Sequence, residues 1–238
     1  MSQNIEAQRN TATNEQEPLL GRPGDAAQPE GESLAKNFVL GTAVVAQAGV
    51  WVLAAIVWGA VFSNKLMLFS AHPLLNSAAV LLYIQAILVL QPTHTPTQKI
   101  NGTYWHSGLN NVATLTAIAG LIVIEYNKFD HNGTHFVSPH AILGLITYII
   151  IAIQAFVGIT QFFTPSLYGG VDNAKKLYKY HRVSGYLVLL LLLATVCAAT
   201  QTDFNKNVLG MQLWAVIVCS ILVLAGIVPR IKKAKFGF

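Results

Sequence analysis

Apolar residues in this chain are gathered into six long runs, and polar residues fill the short segments between them. The runs extend over residues 38–62, 72–90, 106–124, 140–163, 181–199 and 208–228. Each holds about the 20 residues that a helix needs to cross a bilayer. Because backbone polar groups in lipid must bond one another, runs of this length favour helices. The pattern therefore predicts an all-α membrane protein with six transmembrane helices.

The chain divides into one bundle and two tails. Residues 1–35 are rich in Gln, Asn, Glu, Pro and Gly and have too few apolar residues to build a core, which predicts a disordered cytosolic tail. Residues 36–230 form the six-helix domain, and residues 231–238 form a short basic tail. The composition, 53% hydrophobic and 11% charged, is that of a membrane protein and excludes an ordinary soluble domain.

Cationic residues are divided unequally between the two sides of the predicted bundle. If the N-terminus is cytosolic, only Lys65, Lys128 and Lys206 lie outside, and the positive-inside rule is satisfied with both termini in the cytosol. Membrane topology explains this distribution of charge, so no nucleic-acid partner is expected. The basic tail IKKAKF is expected to contact acidic membrane lipid. The inner set is Arg9, Arg22, Lys36, Lys99, Lys175, Lys176, Lys179, Arg182, Arg230, Lys232, Lys233 and Lys235.

The N-terminal tail contains a short sorting-like sequence. EQEPLL, from Glu15 to Leu20, resembles the acidic dileucine signals that adaptors read on endosomal, lysosomal or vacuolar routes. A six-residue chance match is the alternative. The interpretation as a signal predicts a multi-pass protein of the endosomal/lysosomal or vacuolar membrane.

Four histidines, His72, His106, His140 and His181, each stand where a polar segment gives way to an apolar run. Spans two and four run from outside to inside, so His72 and His140 should lie near the outer face. Spans three and five run the other way, so His106 and His181 should lie near the inner face. Topology thus sorts the histidines into two depth-matched pairs within a four-helix core made of spans two to five.

Paired imidazoles favour metal ligation over a structural role, although a lone histidine at a helix end is more often structural. Ionisable groups inside membranes are functional candidates, and neutral imidazole binds iron well. Structural zinc needs four close ligands, whereas haem iron with two imidazoles needs only two per site. The chain has no CxxCH, so such a haem would be held by ligation and packing alone. His94 and His131 are interpreted as solvated loop residues.

Four stretches, HPLL at His72, H-x-x-L-N at His106, HFVSPHAILGL around His140 and YHRVSGY around His181, resemble the cytochrome b561 family over residues 38–230. The resemblance implies two b haems in the four-helix core, with the first histidine paired with the third and the second with the fourth. It also implies a transmembrane oxidoreductase that passes electrons from cytosolic ascorbate to monodehydroascorbate or a ferric chelate on the other side.

The substrate sites follow less directly from the sequence. Basic residues that precede the second ligand in many ascorbate-using members are absent from NGTYWH, as in the shorter, single-domain branch of the family. A basic cluster beside the inner pair could bind ascorbate instead, or could serve topology alone. At the outer face, His135 lies where the family places a histidine; it could assist the acceptor as a catalytic residue, or only bond its loop or a haem propionate. The basic cluster is Lys99, Lys175, Lys176, Lys179 and Arg182.

Two other classes of function remain open at this point. A six-helix transporter or proton channel could relay protons through the histidines, but the middles of spans two to five carry no continuous series of ionisable groups. A non-enzymatic membrane scaffold would not need matched histidines. A homodimer is one assembly open to such a bundle.

Overall fold

The computed structural model describes residues 26–232 and consists of helices joined by short connections. Short 3-10 helices cover Leu34–Phe38, Leu68–Ser70, Pro165–Tyr168 and Val228–Arg230, and a π-helical turn covers Asn205–Leu209. No strand occurs within residues 26–232. Six helices are long and apolar enough to span a membrane, which confirms the predicted fold class. The long helices are α1 (Ala43–Phe62), α2 (Ala71–Leu90), α3 (Pro96–Asp130), α4 (Pro139–Phe163), α5 (Val171–Ala199) and α6 (Leu213–Ile227).

Helices α3 and α5 begin well before the apolar runs, so the predictions that His106 and His181 open their helices are wrong. Each lies about three turns inside its helix. The predicted polar loops at 91–105 and 164–180 contain these helical turns, and α3 also continues past the predicted end near residue 125. The physical reason is that an apolar run marks the lipid core, whereas a helix ends where its backbone bonds are capped.

The start of α3 shows how a polar segment is held helical. Thr95 accepts a hydrogen bond from the Gln98 amide nitrogen at 3.2 Å, and the Gln98 side chain accepts one from the Thr95 amide nitrogen at 3.3 Å. This reciprocal capping box, followed by Pro96 at the first helical position, satisfies the free amide groups of the first turn. At α5 the turn depends on Gly169 and Gly170, whose φ angles of +78° and +109° suit glycine.

Packing groups the helices into two hairpins and a supporting pair. Helix α2 packs along α3, α4 packs along α5, and α1 packs along both α6 and α2. One core, which includes Val50, Ile84 and Leu193, joins α1, α2, α5 and α6. A second core, which includes Tyr83 and Ile151, lies between the hairpins α2–α3 and α4–α5. The four helices α2 to α5 thus surround the region that carries the histidines.

Helices α1 and α6 approach one another closely enough to require glycine. A Cβ atom on Gly49 would lie 2.7 Å from the carbonyl oxygen of Cys219 and 2.8 Å from the amide nitrogen of Val223. A Cβ atom on Gly226 would clash with the backbone and side chain of Ala46. Small residues of this kind let helix backbones meet in a membrane, where van der Waals packing is a main source of association.

The N-terminal segment is more ordered than the sequence predicts. Gln28 and Asn37 are both buried, and the Asn37 side chain donates to the side-chain oxygen of Gln28 at 3.0 Å and to the backbone carbonyl oxygen of Val89 at 2.8 Å. The predicted disorder through residue 35 is therefore wrong for residues 26–35, because their polar side chains find partners on the bundle. Residues 1–25, with the dileucine-like sequence, and residues 233–238, with Lys233 and Lys235, lie outside the described residues.

Arg230 is buried at the end of the bundle where the N-terminal segment packs. Only 2% of this residue is exposed. Its guanidinium donates to the Gln91 side chain at 3.0 Å, to the carbonyl oxygens of Asn37 and Leu88 at 3.1 Å each, and to the carbonyl oxygen of Leu40. Multiple charge-assisted hydrogen bonds offset the cost of burying the cation. Arg230 thereby joins the end of α6 to α2 and to the N-terminal segment.

The glycine contacts predict that alanine lowers the stability of the protein at two glycines of the α1–α6 contact but not at a third glycine outside it. Gly49→Ala and Gly226→Ala should each destabilise the protein by about 1–3 kcal/mol, because the added methyl group overpacks the α1–α6 contact. Gly59→Ala is the matched control, since a Cβ atom there meets nothing within 4 Å. Thermal unfolding in detergent, followed by helical circular dichroism, measures the difference. Equal melting temperatures for the three variants would contradict this account of the contact.

Candidate functional site

His72 on α2 and His140 on α4 face one another at one end of the bundle, here called the outer end. Their ring centroids are 6.2 Å apart and the rings are nearly perpendicular. The Nδ1 atom of His72 lies 2.9 Å from the carbonyl oxygen of Gly120, and that of His140 lies 3.0 Å from the carbonyl oxygen of Thr195. A carbonyl oxygen can only accept, so Nδ1 carries the proton in both rings and Nε2 keeps its lone pair.

His106 on α3 and His181 on α5 lie at the opposite, inner end, where both line one large cavity. The Nδ1 atom of His106 donates to the carbonyl oxygen of Ala86 at 2.8 Å, so its Nε2 also keeps a lone pair. The Nδ1 atom of His181 is buried and has no hydrogen-bond partner among residues 26–232. The ring of His181 lies against Gly158, where an added Cβ atom would come within 2.9 Å of Cε1.

These residues fit iron held by two imidazoles. Two rings that bind one metal from opposite sides, with metal–nitrogen bonds of about 2 Å, have centroids about 6 Å apart. The outer pair has this separation. Within residues 26–232, no group of three or more His, Cys, Asp or Glu side chains could hold a metal ion, as a structural zinc site requires. At the inner end, the cavity of about 1200 Å³ is large enough for a porphyrin and a further small molecule.

Polar side chains bond the backbone of the histidines or link the helices that carry them. Asn76 donates to the carbonyl oxygen of His72 at 3.0 Å, and Asn110 donates to that of His106 at 2.7 Å. Tyr148 on α4 donates to the Asn76 side chain at 2.6 Å, and thereby links the two hairpins. On α4, Gln154 donates to the carbonyl oxygen of His181 at 3.0 Å.

Sequence reasoning missed most of these supporting residues, although one signal was present. The spacing His-x-x-x-Asn occurs at 72–76 and again at 106–110, and the spacing His-x-x-x-Gly occurs at 140–144 and 181–185. The histidines of the α2–α3 hairpin are thus each followed by asparagine at the fourth position, and those of the α4–α5 hairpin by glycine. Nothing in the linear pattern indicates Tyr148 or Gln154, because their partners lie on other turns or helices.

All members of the predicted basic cluster line the inner cavity. Lys99 is in the first turn of α3. Lys175, Lys176 and Lys179 lie in the first turns of α5 and are exposed, whereas Arg182 lies about three turns inside α5 and is half-buried. Part of the charge is already engaged, since Lys175 lies 3.6 Å from Asp172. Two cations that sequence reasoning assigned to topology alone, Arg230 and Lys232, also line the cavity. The cavity wall therefore carries a cationic field wider than the predicted cluster.

His135 lies in the connection between α3 and α4 at the outer end, outside any helix as predicted. Its Nδ1 atom is 3.0 Å from the Glu125 carboxylate, and its ring contacts Phe129 with centroids 5.4 Å apart. His135 is half-buried, whereas His131 in the same connection and His94 before α3 are exposed. The Glu125 contact orients the His135 ring in the connection that leads into α4, five residues before His140.

Comparison with known proteins agrees with this arrangement. The profile of the family described as eukaryotic cytochrome b561 matches residues 71–206, more than half of the chain, and covers α2 to α5 with all four histidines. The human protein named transmembrane reductase CYB561D2 is 29% identical over 176 residues, which cover 70% of this chain and 77% of the human protein. The chain belongs to the eukaryotic cytochrome b561 family, and it is a haem b-binding oxidoreductase that transfers electrons across a membrane.

Proposed function

We propose that this protein holds two b haems, one between His72 and His140 and one between His106 and His181, and carries electrons between the two faces of the membrane. The observation that carries the proposal is the outer pair, with rings 6.2 Å apart and both Nδ1 protons given to backbone carbonyls. When bound, haem supplies reversible one-electron chemistry at iron without an open coordination position.

The chain's own residues would position the two centres and exclude water between them. His106 bonds the carbonyl oxygen of Ala86, which is fourteen residues beyond His72 on the same helix, α2. At 1.5 Å per residue, the two pairs are about 20 Å apart along the bundle. Buried side chains such as Tyr83, Ile151 and Val188 pack together between α2 and the α4–α5 hairpin and also line the inner cavity. This apolar cluster would limit the access of water to the region between the two centres.

The donor that best fits the inner cavity is ascorbate, a small organic anion. The cavity is lined by Lys99, Lys175, Lys176, Lys179 and Arg182, and a cleft of one charge sign concentrates counter-ions and raises their association rate. The positive-inside distribution supports an inner end that faces the cytosol. The dileucine-like sequence EQEPLL favours an endosomal/lysosomal or vacuolar membrane. Ascorbate supplied to the cytosolic face of sealed vesicles, and not to the other face, should therefore reduce the protein.

The acceptor at the outer end would be monodehydroascorbate or a ferric chelate, with His135 as the catalytic residue. The Glu125 carboxylate, 3.0 Å from Nδ1, orients the His135 ring, and an imidazole can donate a proton or a hydrogen bond to an anionic acceptor. The visible spectrum of the purified protein separates this function from a transporter, proton channel or scaffold. Only the haem-dependent function requires a b-type signal that changes on reduction.

Alanine at the four histidines should remove one haem at a time. His72→Ala or His140→Ala should abolish the outer haem and leave the inner one, and His106→Ala or His181→Ala should do the reverse, because each haem needs both of its ligands. The haem content per polypeptide should fall from about two to about one. His94→Ala and His131→Ala are matched controls, since both side chains are exposed. Two haems retained in all four variants would refute the ligand assignment.

Neutralising the lysines on the first turns of α5 should slow reduction by ascorbate. The combined variant Lys175→Gln, Lys176→Gln and Lys179→Gln should react roughly tenfold more slowly at low salt and should lose most of the salt dependence. Reduction by a neutral dye should hardly change. Stopped-flow absorbance of the haem measures both reactions.

Two controls make the charge effect specific. The triple Lys→Arg variant at these positions keeps the charge and should react like the wild type. Lys65→Gln removes a cation from the other end of the bundle and should change nothing. Equal slowing with ascorbate and with the neutral dye would indicate damage to the haem and would contradict an anion site.

His135→Ala should impair only the outer reaction. Both haems and the rate of reduction from the cytosolic side should stay normal, whereas reoxidation by the outer acceptor should slow by at least about tenfold, because proton donation is lost. Stopped-flow reoxidation in oriented vesicles measures the rate, and His131→Ala in the same connection is the control. An unchanged rate with an intact spectrum would exclude His135 from the mechanism.

A further inference from the structure

Gln161 near the end of α4 is a buried polar residue for which the arrangement described so far has no use. Only 2% of the residue is exposed. Its Oε1 atom has no hydrogen-bond partner among residues 26–232. An unmatched buried acceptor typically costs about 1–3 kcal/mol, so each such group in a folded protein needs an explanation. Gln161 also lines the inner cavity, which places the residue beside space that a ligand can enter.

The position of Gln161 along α4 indicates which part of the cavity it faces. Gly158, one turn earlier, lies against the His181 ring. Gln161 is therefore about 4.5 Å further towards the inner end of the helix. Helix α5, which packs along α4, contributes the cavity-lining cations Lys175, Lys176 and Lys179, two to six residues before His181. Gln161 thus lies between the proposed haem ligand and the cationic mouth of the cavity.

The chemistry of the unmatched atom restricts what can satisfy it. An amide oxygen accepts hydrogen bonds and cannot donate them. A haem propionate is also an acceptor, so it could pair only with the Nε2 group of the same amide and would leave Oε1 unmatched. A hydroxyl group can donate to it, while the cations at the mouth pair with a negative charge on the same molecule. The combination of a buried acceptor with surrounding cations fits an organic anion that carries hydroxyl groups.

We infer that Gln161 is a specificity-determining residue of the inner cavity, whose amide oxygen accepts a hydrogen bond from a hydroxyl group of the anionic electron donor. This role rests on the proposed function of the cavity as the donor site. The lysines attract any small anion, whereas Gln161 selects among anions for those with a hydroxyl donor. A site built to accept a hydrogen bond discriminates against ligands without the donor, because the buried acceptor then stays unpaired.

The test replaces Gln161 with methionine, which has a similar length and shape but no strong acceptor. Haem reduction is followed by stopped flow at a series of ascorbate concentrations, in the haem-loaded protein. Gln161→Met should raise the half-saturating ascorbate concentration roughly three- to tenfold, the loss expected for one hydrogen bond, and should leave the limiting rate unchanged. Reduction by dithionite, an anion without hydroxyl groups, should stay the same. Haem content and the visible spectrum report whether the variant is folded.

Two comparisons separate the possible outcomes. Ile159→Met lies on the same helix and also lines the cavity, so it should behave like the wild type. If wild-type protein is not reduced by ascorbate, the proposed donor is wrong and the role of Gln161 falls with it. If wild-type protein saturates with ascorbate and Gln161→Met has the same half-saturating concentration, the donor site stands and the inference about Gln161 is overturned. An equal slowing with dithionite would also overturn it, by showing a structural effect.

Discussion

The structure of the site depends on hydrogen bonds between imidazole Nδ1 atoms and backbone carbonyls of neighbouring helices. His72 on α2 bonds a carbonyl of α3, and His106 on α3 bonds a carbonyl of α2. His140 on α4 bonds a carbonyl of α5. Each bond fixes a ring, selects its tautomer and leaves Nε2 free for a metal, and each also joins the two helices of one hairpin. Outer-shell contacts of this kind commonly orient metal-binding histidines.

The number of helices and the depth of the histidines could be read from the sequence for a physical reason. Lipid excludes unpaired backbone groups and charged side chains, so the segments that cross the membrane core are recognisable in the sequence as uninterrupted apolar runs. Successive spans cross the membrane in opposite directions, so spans two and four begin at the same membrane face. Histidines at the starts of these two spans therefore lie at the same depth. His72 and His140 therefore meet in the structure without any contact information in the sequence.

The ends of the helices and the residues around the histidines could not be read in this way. Outside the lipid, water and capping groups compete for the backbone, and a local pair such as Thr95 and Gln98 decides where α3 begins. The burial of Arg230 and Gln161 is determined by which helices pack together, and the identity of a basic or polar residue does not show whether its side chain is buried or solvated. The long-range contacts of Tyr148 have the same origin.

The division of the four-helix core into two hairpins has a consequence for how the protein is assembled. Helix α2 packs along α3 and α4 along α5, whereas α3 and α4 meet over a much shorter length. Every proposed ligand pair takes one histidine from each hairpin. Each hairpin can therefore form its own internal contacts during synthesis, and a cofactor bound between the hairpins would add to the protein contacts that join them, such as Tyr148 with Asn76. Haem binding would then stabilise the assembled fold as well as supply its redox activity.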